Sequence, residues 1–151
     1  MRLKIFLMQQ KKLIQILNNK KYNKLYLYII IFFSSLIFTI YYGYRGVFPI
    51  DSFLIFNSGY NILNGFHPFK DYWSITGPLL DYLQSIIFLV FDISWLTYVM
   101  HAAIINAVLA IFIFFFFNKL QLSKNLSFVY AIGISILAYP STGTPFMDHH
   151  A

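Results

Sequence analysis

The chain contains no cysteine and few charged residues. Charged side chains make up 11% of its 151 residues, whereas a soluble domain is charged at roughly a quarter of its positions. Without cysteine, a disulfide framework and a thiolate metal site are both excluded. Hydrophobic residues make up 59% of the chain, which is more apolar surface than a globule of this size can bury. We therefore expect an all-α polytopic membrane protein.

Charged residues are distributed unevenly along the chain. No acidic residue occurs before residue 51, and most of the basic residues lie near the N-terminus. Seven of the eleven Lys and Arg residues lie within the first 24 positions. Such a distribution is typical of membrane topology, because basic segments stay on the cytoplasmic side. We interpret 1–24 as a basic cytoplasmic N-terminal segment, either a helix on the anionic inner leaflet or a solvated tail that sets orientation. Residues 25–151 are interpreted as a membrane domain.

Three apolar segments are predicted to span the membrane, at about 25–42, 95–117 and 126–140. The first has no charge, and as a helix it covers about 27 Å, which is enough for a bilayer core. We interpret it as a retained signal anchor, because its basic flank is long and no small-x-small cleavage site follows. Within the second span, His101 and Asn106 are expected to hydrogen-bond a neighbouring helix. The phenylalanine run 114–117 is expected to face lipid.

A fourth apolar segment, 79–91, decides the topology. As a helix it reaches only about 20 Å, so we predict that it lies on the membrane surface. The outer loop then comprises 43–94, and the short loop that carries Lys119 and Lys124 lies inside, as the positive-inside rule prefers. Residues 141–151 begin a second outer loop.

The outer loop contains the most polar stretch of the chain, residues 49–78. A short amphipathic helix is predicted over 52–64, with Asp51 as its N-cap and Gly65 as its C-terminal stop. Its apolar stripe comprises Phe53, Phe56, Tyr60 and Leu63. A second interface-lying helix is predicted to start at Pro78.

The order of motifs along the chain carries a family resemblance. An aspartate, Asp51, follows the first span, and three short motifs come after it: Gly65-x-x-Pro68-Phe69-x-Asp71, Gly77-Pro78 and Thr144-Pro145-Phe146-Met147-Asp148. This order resembles the N-terminal part of the C-type integral-membrane glycosyltransferases (GT-C), which include the protein O-mannosyltransferases and the RgtA/B/C/D-like bacterial proteins. The chain departs from many relatives in having Asp51-Ser52 where they have Asp-Glu. We expect the chain to be the N-terminal fragment of such an enzyme.

The resemblance implies transfer of a sugar from a polyprenyl-phosphate-linked donor to a lipid, glycan or protein acceptor on the outer face of the membrane. It assigns Asp51 as the catalytic base, a role compatible with helix capping, since the transfer needs a base near the acceptor group. The expected location is the bacterial inner membrane, with a periplasmic active-site loop. The alternative is a small non-catalytic membrane subunit or a transporter fragment, in which 49–78 is a docking loop. No nucleic-acid motif is present in the sequence.

Four further side chains are candidates for substrate binding: Asp71, Asp148, Lys70 and His67. Asp71 is either an acceptor-binding or loop-orienting group or a turn-forming aspartate, and both interpretations remain open. Lys70 could meet a phosphate, and His67 is interpreted first as an interfacial loop residue. Asp148 could bind a divalent cation or lie near the donor phosphate, with a frayed terminus as the alternative.

Overall fold

The computed structural model describes residues 22–46, 51–137 and 143–145. Within these ranges there is no β-strand, and five helices follow one another. They are α1 (Tyr22–Gly43), α2 (Asp51–Leu63), α3 (Pro78–Val90), α4 (Trp95–Lys119) and α5 (Lys124–Leu137). The predicted all-α class is thus confirmed for the described part of the chain.

Two helical segments are long and apolar enough to cross a membrane, Leu25–Gly43 and Trp95–Lys119. They match the first two predicted spans. The third predicted span, 126–140, overlaps α5, but the 14 residues of α5 cover only about 21 Å. The third crossing therefore stays a prediction.

Local sequence signals set the ends of the helices in the outer loop. Helix α2 ends in a Schellman motif, in which Gly65 has a φ of 85° and Phe66 N donates to Asn61 O at 3.0 Å. Helix α3 begins with Pro78 directly after Gly77, whose φ of 88° suits glycine. Both predicted boundaries are confirmed to within one residue.

Helices α1, α4 and α5 form an up-down-up bundle. Tyr28, near the start of α1, packs edge-on against Phe114, near the end of α4, with ring centroids 5.0 Å apart. At the other end of the bundle, Trp95 Nε1 of α4 donates to Gly43 O of α1 at 2.9 Å. Between them, Asn106 Nδ2 donates to Thr39 Oγ1 at 3.1 Å and to Ser135 O at 3.0 Å. The prediction that Asn106 bonds a neighbouring helix is confirmed, and these contacts make α4 antiparallel to α1 and α5.

Many small and polar residues lie inside this bundle, beside Leu27, Ile31 and Phe114, whereas large apolar residues cover its outside. The buried positions include Ala102, Ala103, Ala107, Ala110, Ser35, Thr39, Ser127, Ala131 and Ser135. Exposed positions include Ile29, Phe33, Ile37, Ile104, Val108, Phe112, Val129 and Leu137. Water-soluble folds show the opposite trend, whereas helices packed in lipid use small residues at their contacts. The distribution suits a bundle that is surrounded by hydrocarbon.

Helices α2 and α3 form an antiparallel pair that packs on the first turns of α4. The ring of Phe56 in α2 lies 4.9 Å from that of Phe88 in α3 and 5.3 Å from that of Tyr98 in α4. Trp95 joins the same cluster, 5.5 Å from the ring of Phe53. Helices α2 and α3 are therefore attached to the end of the bundle where α1 finishes and α4 begins. We call this the loop end.

One expectation about helix faces is met in part and one is wrong. Phe56 and Leu63 of the predicted apolar stripe of α2 pack against the core, whereas Tyr60 is exposed and the fully buried positions are Ser52, Ile55 and Gly59. The close approach of α3 at Gly59 contributes to this arrangement, because a Cβ there would lie 2.7 Å from Gln84 Cγ. Phe114, expected to face lipid, is buried against α1 and α5.

Candidate functional site

Asp51 lies at the N-terminus of α2, as its first residue, and its side chain is exposed. The positive end of the helix dipole therefore lies beside its carboxylate. Two residues on, Phe53 packs on Trp95, which keeps this end of α2 close to the start of α4. The predicted catalytic base thus occupies an accessible position at the loop end of the bundle.

The motif from Gly65 to Asp71 folds into a compact turn that Asp71 closes. His67 N donates to Asp71 Oδ2 at 2.8 Å, and Asp71 N donates back to His67 O at 2.9 Å. Between them, Phe69 has a φ of 65°, a left-handed conformation that is uncommon for a non-glycine residue. These bonds are the ones that the turn-forming interpretation of Asp71 requires. The second carboxylate oxygen is the one that could meet a substrate.

His67 and Lys70 lie on the exposed side of the same turn. His67 Nδ1 is 3.0 Å from the Tyr82 hydroxyl, and which of the two donates depends on the imidazole tautomer. The Lys70 ammonium lies 3.9 Å from Asp71 Oδ2, with a side chain that is 75% exposed. At such exposure this ion pair contributes little to stability. The turn therefore brings together three of the predicted site residues, His67, Lys70 and Asp71.

Asp81, on α3, is an ionisable residue that the sequence interpretation passed over. Its side chain is fully buried. Thr76 Oγ1 donates to Asp81 Oδ1 at 3.0 Å, and the Tyr72 hydroxyl lies 3.4 Å from Oδ2. A signal for it was present, because Asp81, Gln84 and Ser85 share one face of an otherwise apolar helix and such a face must turn away from lipid.

Tyr72 connects the turn to both helices of the pair. Its hydroxyl lies 3.4 Å from Ser58 O on α2 and at the same distance from Asp81 Oδ2 on α3. Burial, together with the negative charge of Asp81, raises the pKa of Tyr72 from 10.0 to about 12. The phenol therefore stays neutral at physiological pH and can donate a hydrogen bond.

The structure keeps Asp51 apart from the turn along α2. Tyr72, which directly follows Asp71, touches α2 at Ser58, seven residues beyond Asp51 and so about 10 Å farther along the helix axis. A substrate that meets both carboxylates would have to extend along this face. The two aspartates share one end of the molecule without forming a close carboxylate pair.

Residues 143–145, which precede Asp148 in the sequence, lie at the same end of the bundle. The backbone of Gly143 packs on the backbone of Gly43 at the end of α1. A Cβ at residue 143 would lie 2.5 Å from Gly43 Cα and 2.5 Å from Thr39 O. Asp148, with the neighbouring His149 and His150, lies outside the described residues, as do residues 1–21 of the predicted basic segment 1–24, whose last three residues begin α1. Across the described residues, no group of three or more His, Asp or Glu side chains is arranged to hold a metal ion.

An apolar groove of about 410 Å³ lies between α3 and α4, beside the aromatic cluster. Its lining includes Leu83, Ile87, Leu96 and Met100, and its polar contributions come from Thr97 and His101. The prediction that His101 bonds a neighbouring helix is confirmed, since its Nδ1 lies 2.7 Å from Gln84 Oε1 on α3. The groove suits hydrocarbon better than a sugar.

Comparison with known proteins returned no match to any protein-family model, curated protein or solved structure.

Proposed function

We propose that this chain is the N-terminal part of a membrane glycosyltransferase that moves a sugar from a polyprenyl-phosphate-linked donor to an acceptor on the outer face of the membrane. The proposal rests on the motif order from Asp51 to Asp148 and on one structural observation. That observation is the grouping of Asp51, the turn at 67–71 and the segment 143–145 at a single end of an apolar bundle.

The distribution of charged residues supports an outward-facing loop end. Of the four Lys and Arg beyond residue 24, Arg45 and Lys70 lie at the loop end, and Lys119 and Lys124 lie at the opposite end, where α4 passes into α5. The other seven lie before α1 or in its first turn, and α1 begins at that opposite end. Positively charged loops stay in the cytoplasm, so the loop end would face outward. In a bacterial inner membrane that side is the periplasm. The proposed topology has α1, α4 and α5 as three crossings, with α2 and α3 along the outer surface.

The chemistry follows from an exposed carboxylate at the membrane surface. Asp51 takes the proton of the acceptor hydroxyl or amine as that atom attacks the anomeric carbon of the donor sugar. The new bond to carbon forms as the bond from carbon to the phosphate oxygen breaks, with inversion, and polyprenyl phosphate leaves with the bonding electron pair. Lys70 can balance part of the phosphate charge, and the lipid tail stays in the bilayer throughout.

Substitution of Asp51 tests the proposal. In the full-length protein, Asp51→Asn keeps the size of the side chain and removes the basic group, so sugar transfer to an acceptor should fall by two or more orders of magnitude. Membrane insertion should be unchanged, because residue 51 is exposed. Asp92→Asn is the matched control, since residue 92 is also an exposed aspartate but lies between α3 and α4. Wild-type transfer by Asp51→Asn would remove the mechanism.

The alternative function, a non-catalytic subunit with a docking loop, makes a different prediction. A docking loop should retain its partner in Asp51→Asn and should support no sugar transfer in the wild-type protein. Transporters place acids within spans, near the membrane midplane. No described acid lies in α1, α4 or α5, which favours the enzyme over a transporter.

A further inference from the structure

Asp81 carries the one buried carboxylate among the described residues, since the aspartates at 51, 71 and 92 are exposed. Removing a carboxylate from water is unfavourable unless hydrogen bonds replace its hydration. Here each oxygen has a hydroxyl neighbour from the loop: Thr76 at 3.0 Å on Oδ1 and Tyr72 at 3.4 Å on Oδ2. An ionised carboxylate only accepts hydrogen bonds, so both loop hydroxyls are the donors.

The two donors hold the same loop at two points. Tyr72 directly follows Asp71, and Thr76 directly precedes Gly77, the residue before α3. Tyr72 also reaches Ser58 O on α2 at 3.4 Å. The single proton of the Tyr72 hydroxyl is donated to Asp81, so one buried carboxylate on α3 joins the end of the turn to the end of the loop, and the Tyr72 oxygen lies close to α2 without a second proton to donate there.

Helix formation and packing alone do not require a charge at this position. Leucine has a higher helix propensity than aspartate, and an apolar residue of similar volume often replaces a buried ionic group without loss of stability. The first turn of α3 tolerates a negative charge because it lies near the positive end of the helix dipole. What an apolar residue could not do is accept the two hydrogen bonds from the loop.

We propose that Asp81 is a positioning residue, which holds the turn at residues 67–71 in place relative to α2. It acts through Tyr72 and Thr76, and it does not touch the substrate. The consequence for catalysis rests on the proposed glycosyltransferase function, whereas the positioning itself does not.

A distance measurement in the full-length protein tests the positioning. The chain has no cysteine of its own, so spin labels can be attached to Asn57→Cys and Lys70→Cys, both at exposed positions. With Asp81 present, pulsed electron paramagnetic resonance should give one narrow distance distribution. Asp81→Leu should broaden it. Asp81→Asn should restore the narrow distribution, because its amide can accept from Thr76 and donate to the Tyr72 hydroxyl.

A second label pair separates loop positioning from helix packing. Labels at Asn57→Cys and Ile86→Cys, also exposed, report only on α2 against α3. Their distance should be the same in Asp81→Leu as in the wild type. An unchanged distribution between residues 57 and 70 in Asp81→Leu would overturn the proposal. Broadening of both pairs would also overturn it, because Asp81 would then hold the helices together and not the loop.

Activity distinguishes this proposal from the proposed function. If the protein is a transferase, Asp81→Leu should lower kcat/KM on the order of 100-fold, as small displacements of binding groups do, and Asp81→Asn should recover most of it. If the wild-type protein transfers no sugar but the distance results hold, the proposed function fails and the positioning role stands.

Discussion

Gly43 and Gly143 lie in contact where the end of α1 meets segment 143–145. Gly143 has a φ of 58°, and a Cβ there would lie 2.5 Å from Gly43 Cα. Both its backbone conformation and its contact therefore favour glycine. We predict that Gly143→Ala lowers the free energy of unfolding by about 1–3 kcal/mol, measured by thermal unfolding in detergent.

Gly133→Ala is the matched control for that substitution. Gly133 lies within α5, and a Cβ there would meet no atom within 4 Å. Alanine should therefore stabilise the helix, by up to about 1 kcal/mol. Equal unfolding temperatures for the two variants would contradict the close contact between residues 43 and 143.

Tyr72 gives a prediction about high pH. Because its pKa rises to about 12 in the folded protein from 10.0, its contribution to stability is complete below pH 10 and is lost as the pH rises towards 12. In a spectrophotometric titration of the tyrosines, the wild type should show one phenol that ionises near pH 12 and that Tyr72→Phe lacks. In Asp81→Asn the pKa of Tyr72 should fall, because the charge of Asp81 is one of its causes. A missing phenol that titrates near pH 10 would contradict the buried hydrogen bonds.

At the scale of the helices, the ends were predictable from sequence but the contact faces only in part. Gly65 and Pro78 act through backbone conformation, which depends on neighbours within a few residues. The face of α2 depends in part on Gly59, because that glycine admits Gln84 of α3. The polar face of α3 could have drawn attention to Asp81, but its donors could not be predicted, since they lie on a loop whose path no local pattern reveals.

The pair formed by α2 and α3 has an apolar outer surface. Trp73, in the loop before α3, has a side chain that is 79% exposed, and Leu79, Leu89 and Phe91 are similarly exposed. A tryptophan at such a position suits the interface between headgroups and hydrocarbon. The chain has two tryptophans, and the Trp95→Phe variant keeps only Trp73. We predict that lipids brominated near the headgroup strongly quench the fluorescence of Trp73 in this variant.

The reciprocal variant provides the control. Trp73→Phe keeps Trp95, which packs among Phe53, Phe56 and Tyr98. Its fluorescence should respond less to the same lipids. Strong quenching of Trp73 by aqueous iodide, without quenching by the lipids, would place this loop in water and contradict the interfacial arrangement.

For the whole molecule, the distribution of side chains supports a membrane environment, and the sequence alone indicated this from composition. What composition could not provide is the return of residue 143 to the end of α1, about a hundred positions away along the chain. That contact depends on α5 running antiparallel to α4, as the ring contact of Phe117 with Tyr130 and the bond from Asn106 Nδ2 to Ser135 O show. Because of this contact, the loop end contains both the loop that follows α1 and the segment 143–145.

The central claim is that α3 does not cross the membrane, so that the outer loop and the return of the chain share one face. Single cysteines at Lys70, Asp92 and Ser123, all at exposed positions, test it with a membrane-impermeant thiol reagent in intact cells. Residues 70 and 92 flank α3, and residue 123 precedes α5 at the opposite end of the bundle. The account predicts labelling at 70 and 92 with protection at 123. Labelling at 70 and 123 with protection at 92 would mean that α3 crosses, and would contradict the shared site.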